Sequence, residues 1–250
     1  MPPTEKVGGS SLEDLKVEIG KGDREMRLNL LFLGKCHYDE ALKIQYDILE
    51  KRQQNIIEDT LIIVEHPPVI TLGRHATKGN IMVSAKYLED QKIQLYETDR
   101  GGDVTYHGYG QIVGYPIVDL KSKKMGIRQF VDKLEEVFIQ LLKDKYNITA
   151  ERSLKHTGVW VENSKIAAVG LAVKRGITMH GFAFNVNTKL EHFNLIVPCG
   201  ISNKGVTSIE NILKKPVELK NVNQWILEYF LKIFNYEEYQ ELSIKESIGR

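Results

Sequence analysis

The sequence predicts an α+β fold in which mixed, largely antiparallel sheets are flanked by helices. Short apolar runs bounded by turn residues indicate many strands, and apolar residues recur at helical spacing in a few longer segments. Strands and helices do not alternate strictly along the chain, as they would in a parallel α/β fold. No repeat or low-complexity linker divides the 250 residues, so we expect one domain with a substantial core.

The predicted helices follow from the spacing of apolar side chains and from residues that suit helix ends. Residues 38–54 form the first helix, and Ser84 is a suitable N-cap for a short second one that ends at residue 90. Residues 127–146 form the longest helix, because apolar side chains recur there every three or four residues. The same spacing predicts a last helix at residues 222–234.

The predicted strands are short apolar runs that end at glycine, proline or polar turn residues. The second and third are separated by the stiff turn His66-Pro67-Pro68. The run at residues 165–173 is apolar on both faces and rich in small residues, which allows another backbone or a ligand to come close. In chain order the predicted strands cover residues 28–33, 61–64, 69–72, 93–98, 111–120, 158–162, 165–173 and 177–186.

The composition excludes several classes of function. Lys and Arg total 34 against 33 acidic residues, and a net charge of +1 does not supply the basic field of a duplex DNA-binding domain. The two cysteines, neither in a CxxC pair, favour a reducing compartment and give no support for a zinc site. The apolar run near the start is too short to cross a bilayer. We therefore expect a cytoplasmic protein that binds no nucleic acid, membrane or metal.

The chain ends are polar and differ from the region between them. Residues 1–25 contain six acidic residues, which argues against a mitochondrial targeting peptide. We interpret them as an N-terminal extension, either native or added by cloning, with Met26 as a candidate start. Residues 26–235 then form a single catalytic domain, and residues 236–250 form a polar C-terminal tail.

A glycine-rich segment at residues 100–111 is the first candidate functional region. Its glycines let main-chain N–H groups approach a ligand, and its arginine, histidine and tyrosine side chains can hydrogen-bond carbonyl or phosphate oxygens. On the pattern alone, a binding loop and an ordinary glycine-rich hairpin are equally good interpretations. The segment matches neither the P-loop nor the dinucleotide-binding fingerprint.

Cys199 and Lys165 are the candidate reactive residues. Cys199 lies between a proline and a glycine, which suits a presented thiol that accepts an acyl group, but an isolated cysteine is more often buried and structural. Reactivity requires a partner that stabilises the thiolate. Lys165 begins the small-residue strand and is one candidate partner, although a lysine in such a place is more often a solvated strand-end residue.

Three histidines, His107, His156 and His180, are candidate bases. None has a neighbour in the sequence that marks a catalytic triad, and a single histidine is more often structural than catalytic. Cys36, next to His37 before the first helix, is interpreted as a packing residue.

Several motifs, taken together, resemble the lipoyl(octanoyl) transferases. Each motif is weak alone, but their order and spacing between residues 28 and 219 are specific. One departure is Tyr109, which stands where the family has the proline of His-Gly-Pro-Gly-Gln, so we expect a less rigid loop. The motifs are His66-Pro67-Pro68-Val69, Thr71-Leu72-Gly73-Arg74, residues 100–111, Thr157-Gly158-Val159-Trp160-Val161, Lys165-Ile166-Ala167-Ala168-Val169-Gly170, residues 178–186, Ile196-Val197-Pro198-Cys199-Gly200-Ile201 and Gly205-Val206-Thr207-Ser208-Ile209.

The resemblance implies the fold shared by biotin and lipoate protein ligases. It also implies that Cys199 is an acyl-thioester nucleophile and that Lys165 lowers its pKa. The acyl-substrate-binding residues that it implies lie in three segments, and the small ones would make a narrow apolar slot. They are Arg100, Gly101, Gly102, Asp103, Val104, Thr105, Tyr106 and His107, then Ala168, Val169 and Gly170, and finally Gly181, Phe182 and Ala183.

The activity implied is transfer of an octanoyl group from octanoyl-acyl carrier protein to the target lysine of lipoyl domains, the first step of protein lipoylation. The implied acceptors are the apo lipoyl domains of 2-oxoacid dehydrogenases and the glycine cleavage H protein. Exchange between thioesters is nearly neutral in energy and amide formation runs downhill, so neither ATP nor another cofactor is expected. The alternatives are an ATP-dependent lipoate or biotin ligase on the same fold and a module that only binds acyl or lipoyl proteins.

Overall fold

The computed structural model describes residues 26–153, 155–197 and 205–243. The N-terminal extension expected at residues 1–25 and the end of the expected tail lie outside these ranges. The helices are α1 (Tyr38–Gln53), α2 (Ala85–Asp90), α3 (Ile127–Tyr146), α4 (Ile209–Leu213) and α5 (Leu219–Phe234). The strands are β1 (Arg27–Lys35), β2 (Thr60–Glu65), β3 (Val69–Leu72), β4 (Gln94–Glu97), β5 (Val104–His107), β6 (Gln111–Ile117), β7 (Glu151–Arg152), β8 (Val159–Val161), β9 (Ser164–Lys174), β10 (Ile177–Asn185), β11 (Gly205–Val206) and β12 (Glu238–Glu241).

The described strands form two sheets. The main sheet has the order β12-β1-β2-β6-β10-β9-β8-β7, with β11 alongside β9, and the small sheet has the order β4-β3-β5. The centre of the main sheet is antiparallel from β2 through β6 and β10 to β9, whereas β1 runs parallel to β2. Mixed sheets flanked by helices confirm the predicted α+β class.

Helices α3 and α5 cover one face of the main sheet. The apolar side of α3 is fully buried, and Phe138 lies 4.8 Å from Phe182 and 4.9 Å from Phe184, measured between ring centroids. Burying one such side chain contributes about 1.5–3 kcal/mol. The helix ends at Asn147, which takes the left-handed conformation with φ 53° and donates its N–H to the carbonyl oxygens of the last turn.

The opposite face of the main sheet is covered by α1 and by the small sheet. Helix α1 buries Ala41, Ile48 and Leu49 against strands β6 and β10. Tyr38, at its start, stacks on His107 of β5 with ring centroids 6.4 Å apart, which places the small sheet beside the helix. The space between the two sheets is therefore closed by a helix on one side.

Several segments differ from the sequence-based expectation: β7, β11 and α4 were not expected, and neither were two further strands. Residues 104–107, expected as part of a loop, form β5 because they pair with β3. Residues 238–241, expected within the polar tail, form β12, an edge strand that pairs with β1. Each forms a strand by pairing with a backbone distant in the sequence. Strand β12 has little apolar character of its own, whereas β5 buries Val104 and Tyr106. In the described part of the chain, no helix is both long enough and apolar enough to span a membrane.

Candidate active site

A cavity of about 430 Å³ lies between the two sheets and also contacts α1 and α3. The expected binding residues come from three separate segments of the chain, yet all except Tyr106 line this one cavity, together with Lys165. Tyr106 points to the other side of β5, where its hydroxyl hydrogen-bonds to Nδ1 of His192 at 2.6 Å and its ring packs on Phe193. The alternation of side chains along β5 explains why its neighbours Thr105 and His107 reach the cavity instead.

Small residues lie next to each other on the paired strands β9 and β10, which form part of the cavity wall. Ala168 pairs with Ala183, and Gly170 pairs with Gly181. A Cβ atom on Gly170 would lie 2.8 Å from the carbonyl oxygen of Gly101, so glycine is needed for the loop to reach the strand. The Gly101 N–H donates to the Leu171 carbonyl at 2.8 Å. These glycines therefore allow the backbone of the loop to lie against β9.

Gly181 is small for a different reason. A Cβ atom there would lie 2.1 Å from the Gly114 carbonyl oxygen and 2.6 Å from Cδ of Pro116, both on β6. The glycine thus permits the packing of β10 against β6. Ala168, which is partly exposed and lines the cavity, is the position at which a larger side chain would enter the cavity space.

Arg100 and Asp103 hold the loop in place. The Arg100 guanidinium is buried and donates to the Thr71 carbonyl at 2.7 Å and to the Thr71 hydroxyl, which ties the loop to β3. The Asp103 carboxylate accepts from Nδ2 of Asn80 at 2.7 Å and from the Val104 N–H. Both side chains therefore shape the cavity wall through hydrogen bonds within the protein.

The loop that carries Tyr109 is anchored on both sides. The Gly110 N–H donates to the Glu65 carboxylate at 2.7 Å, and its carbonyl accepts from the Asn187 N–H at 2.8 Å. Tyr109 itself is exposed, and its ring lies 5.0 Å from Nζ of Lys35. These contacts restrain the loop without the ring of a proline.

Lys165 lies at the edge of the cavity and is partly buried. Its Nζ is 4.9 Å from the centroid of the Trp160 ring, and its carbonyl accepts from the Thr207 N–H at 3.0 Å. Val206 of β11 pairs with Lys165 in the sheet. Cys199 lies outside the described residues. The described chain resumes after Cys199 at β11, and β11 runs beside Lys165.

Cys36 is the other thiol of the sequence, and it is a poor nucleophile. Burial, followed by the nearby Glu40 carboxylate, raises the pKa of the Cys36 thiol to about 11. At pH 7 its thiolate fraction is on the order of one in ten thousand. This agrees with its interpretation as a packing residue.

Two of the histidines that line the cavity, His107 and His180, are buried and neutral at pH 7. His107 donates from Nδ1 to Oε1 of Gln111 at 2.8 Å, because the amide nitrogen of Gln111 donates to Asn185. Burial, and next the neighbouring His66, lower the pKa of His107 to about 3. His180 donates from Nε2 to Asp99 at 2.7 Å, and burial lowers its pKa despite that carboxylate. Neither imidazole carries a charge at neutral pH.

The chain resembles known proteins in sequence over most of its length. The family model of the lipoyl protein ligase A/B catalytic domain matches residues 37–231. The octanoyltransferase of Alkaliphilus metalliredigens is 60% identical over 212 residues, which cover 85% of this chain and 97% of that protein. The chain belongs to the octanoyltransferase family. It is accordingly an acyltransferase, as the motifs predicted.

Two solved structures share the fold of this octanoyltransferase-family chain. The structure of a bi-partite lipoate protein ligase and its E2 lipoyl domain from Thermoplasma acidophilum gives a TM-score of 0.70 at 17% identity, covering 88% of this chain and 89% of that one. Biotin protein ligase from Aquifex aeolicus, in complex with biotin and ATP, gives 0.52 at 15% identity, covering 83% and 70%. These likenesses confirm the predicted ligase-like fold.

Some residues that line the cavity were not among the expected catalytic and binding residues. Tyr38, Gln111 and Trp160 all line the cavity, and Asp99 is hydrogen-bonded to His180 from a position 81 residues earlier in the chain. Hydrogen bonds from Lys174 and His180 outweigh the effect of burial and lower the pKa of Asp99 to about 2. A partner so distant in sequence carries no local signal.

Proposed function

We propose that this octanoyltransferase-family enzyme moves an octanoyl group from octanoyl-acyl carrier protein to the target lysine of an apo lipoyl domain through a thioester on Cys199. The observation that carries the proposal is the position of Lys165, whose ammonium lies at the edge of the cavity beside the strand that follows Cys199. We choose octanoyl as the acyl group because the relative that is 60% identical is an octanoyltransferase.

In the first step the Cys199 thiolate attacks the thioester carbonyl of the carrier protein. The bond to the carrier sulfur breaks, and the products are octanoyl-Cys199 and a carrier thiolate that takes its proton from the Lys165 ammonium, which leaves Lys165 neutral for the second step. A free thiol with a pKa near 8.5 is only a few per cent ionised at pH 7, so a nearby cation is needed. We assign this task to Lys165.

In the second step the neutral ε-amine of the acceptor lysine attacks the Cys199 thioester. The new amide bond forms, the Cys199 thiolate leaves, and the proton lost by the amine passes to Lys165 when that residue is neutral. The acceptors we propose are the apo lipoyl domains of 2-oxoacid dehydrogenases and the glycine cleavage H protein. The reaction takes place in the cytoplasm and consumes no ATP.

The cavity supports an acyl substrate in size and in lining. Small side chains, among them Ala168 and Ala183, leave space along the wall, and Val113, Val131 and Val169 add apolar surface. The buried histidines that share the wall are neutral, so an uncharged chain meets no buried imidazolium there. Pockets that are mostly apolar with a few fixed polar groups are typical of small-molecule sites.

A mass spectrum of the enzyme after incubation with octanoyl-carrier protein, without nucleotide, tests the proposal. We expect the mass of one octanoyl group on Cys199, its loss when an apo lipoyl domain is added, and an octanoylated lysine on that domain. Cys199→Ala abolishes both adducts, whereas Cys36→Ala retains them. Transfer that persists in Cys199→Ala, or that requires ATP and free octanoate, contradicts the thioester route and favours an ATP-dependent ligase.

A further inference from the structure

The side chain of Lys165 meets an aromatic ring from the neighbouring strand. Strands β8 and β9 pair antiparallel with a register shift between Val159 and Trp160, and Trp160 is the residue opposite Lys165. Irregularities of this kind occur next to active sites, where they redirect a side chain. The 4.9 Å between Nζ and the ring centroid is within the range of about 6 Å over which an aromatic face attracts a cation.

The Trp160 ring is itself fixed. The residue is 3% exposed, and its Nε1–H donates to the His156 carbonyl at 3.1 Å. A buried ring whose edge is held by a hydrogen bond presents one constant surface to the lysine. The ring therefore positions the ammonium without adding a negative charge.

The turn before Trp160 fits the stem of the lysine. Gly158 has φ 125°, and a Cβ atom there would lie 3.3 Å from Cδ and Cε of Lys165 and 2.5 Å from the Ala167 carbonyl oxygen. The Gly158 N–H donates to the buried Glu135 carboxylate of α3 at 2.7 Å, and Arg152 lies 3.4 Å from that carboxylate. Helix α3 thus fixes the turn over which the lysine stem lies.

We propose that Trp160 is a positioning residue for Lys165, which holds the ammonium at the cavity edge by a cation–π contact and favours its charged form. The inference rests on the proposed function, in which that ammonium stabilises the Cys199 thiolate. An aromatic face attracts the ammonium without adding a negative charge that would oppose the thiolate. The titratable side chains that share the cavity lining are Tyr38, Arg100, Asp103, His107, Tyr115, Lys155, His156 and His180.

The experiment measures the alkylation rate of Cys199 by iodoacetamide against pH in the full chain carrying Cys36→Ala, which leaves one thiol. Trp160→Leu removes the ring, and Trp160→Phe keeps a ring that attracts cations more weakly. We expect the rate at pH 7 to fall about three- to thirtyfold in Trp160→Leu, the range that cation–π pairs span between exposed and desolvated sites, with the pH midpoint moved upward. The alkylation rate and the pH midpoint of Trp160→Phe should lie between those of Trp160→Leu and the wild type.

Lys165→Met, alone and combined with Trp160→Leu, separates this inference from the proposed function. If Lys165→Met leaves the midpoint unchanged, the proposed role of Lys165 is wrong. If Lys165→Met moves the midpoint, Trp160→Leu must move it in the wild type and must add nothing in the Lys165→Met background. A wild-type midpoint in Trp160→Leu, or the same shift in both backgrounds, overturns the positioning role.

A matched control and a milder variant guard against general damage to the fold. Trp225, whose ring lies 5.5 Å from Nζ of Lys145, is outside the cavity lining, and Trp225→Leu should keep the wild-type midpoint. If Trp160→Leu does not fold, Trp160→Phe carries the test: an intermediate midpoint supports the inference and a wild-type midpoint overturns it.

Discussion

Lowering the pH from 7 to 5 should destabilise the fold through buried histidines, among them His66 and His107. His66 is fully buried, donates from Nδ1 to the Cys36 carbonyl at 2.7 Å and accepts at Nε2 from the Tyr115 hydroxyl at 2.7 Å. Burial lowers the pKa of His66 to about 4 and that of His107 to about 3, from an ordinary value near 6.5. Between pH 6.5 and 4 the unfolded chain therefore binds more protons than the folded protein.

The size of the effect follows from this difference in proton binding. Stability is fully present above pH 7 and falls as the pH falls through the window, because only the unfolded chain takes up the protons. For each of the two histidines the free energy of unfolding drops by about 2 kcal/mol between pH 7 and pH 5. Burial raises the pKa of Glu135, which acts in the opposite direction over the same window and offsets part of the fall.

Urea titrations at pH 7, 6 and 5 measure the effect as the free energy of unfolding. His66→Gln cannot titrate, so its free energy of unfolding should fall by about 2 kcal/mol less than that of the wild type over this range, whatever its value at pH 7. The control is His75→Gln, because His75 is exposed, and it should follow the wild-type pH dependence. Parallel curves for the wild type and His66→Gln would show that burial of His66 does not govern acid stability.

Two further predictions concern the proposed transfer. Ala168→Leu fills cavity space and should reduce octanoyl transfer at least about tenfold more than acetyl transfer, measured as kcat/KM, whereas Val173→Leu, on the same strand outside the cavity lining, should change neither. Equal losses for both chain lengths would place the acyl chain elsewhere. Lys165→Arg keeps the charge but cannot accept a proton, so it should preserve Cys199 alkylation at pH 7 better than Lys165→Met and yet slow deacylation, measured by single-turnover mass spectrometry. Deacylation at the wild-type rate would exclude Lys165 as the base.

The long elements of the fold were predictable because their signals are local. The helix at residues 127–146 was predicted from apolar spacing alone, and α3 has those bounds. Strands β5 and β12 were missed, because the first is surrounded by glycines and the second is the polar run Glu238–Glu241. Each becomes a strand only through a backbone partner distant in the sequence, β3 for the first and β1 for the second.

The binding residues expected from the family motifs, except Tyr106, line the cavity, but the partners of the lining residues were not predictable. The sequence predicts strands at residues 158–162 and 165–173, and the short connection between them brings residues 160 and 165 near each other. The register shift that sets Trp160 opposite Lys165 leaves no pattern in the residues themselves. The Asp99–His180 hydrogen bond joins the loop after β4 to the middle of β10, so only the folded chain reveals it.

The small residues of β9 and β10 show why a pattern in sequence can have two physical causes. Gly170 and Gly101 are glycines because the loop backbone lies against β9, a contact that joins the two sheets by the hydrogen bond from Gly101 to Leu171. Gly181 is glycine because β6 occupies the space of its Cβ atom. A larger residue at these positions would separate backbones before it narrowed the cavity, and the loss of activity would say nothing of acyl length. Ala168 is small where the adjoining space is the cavity itself, which makes it the position that tests the slot.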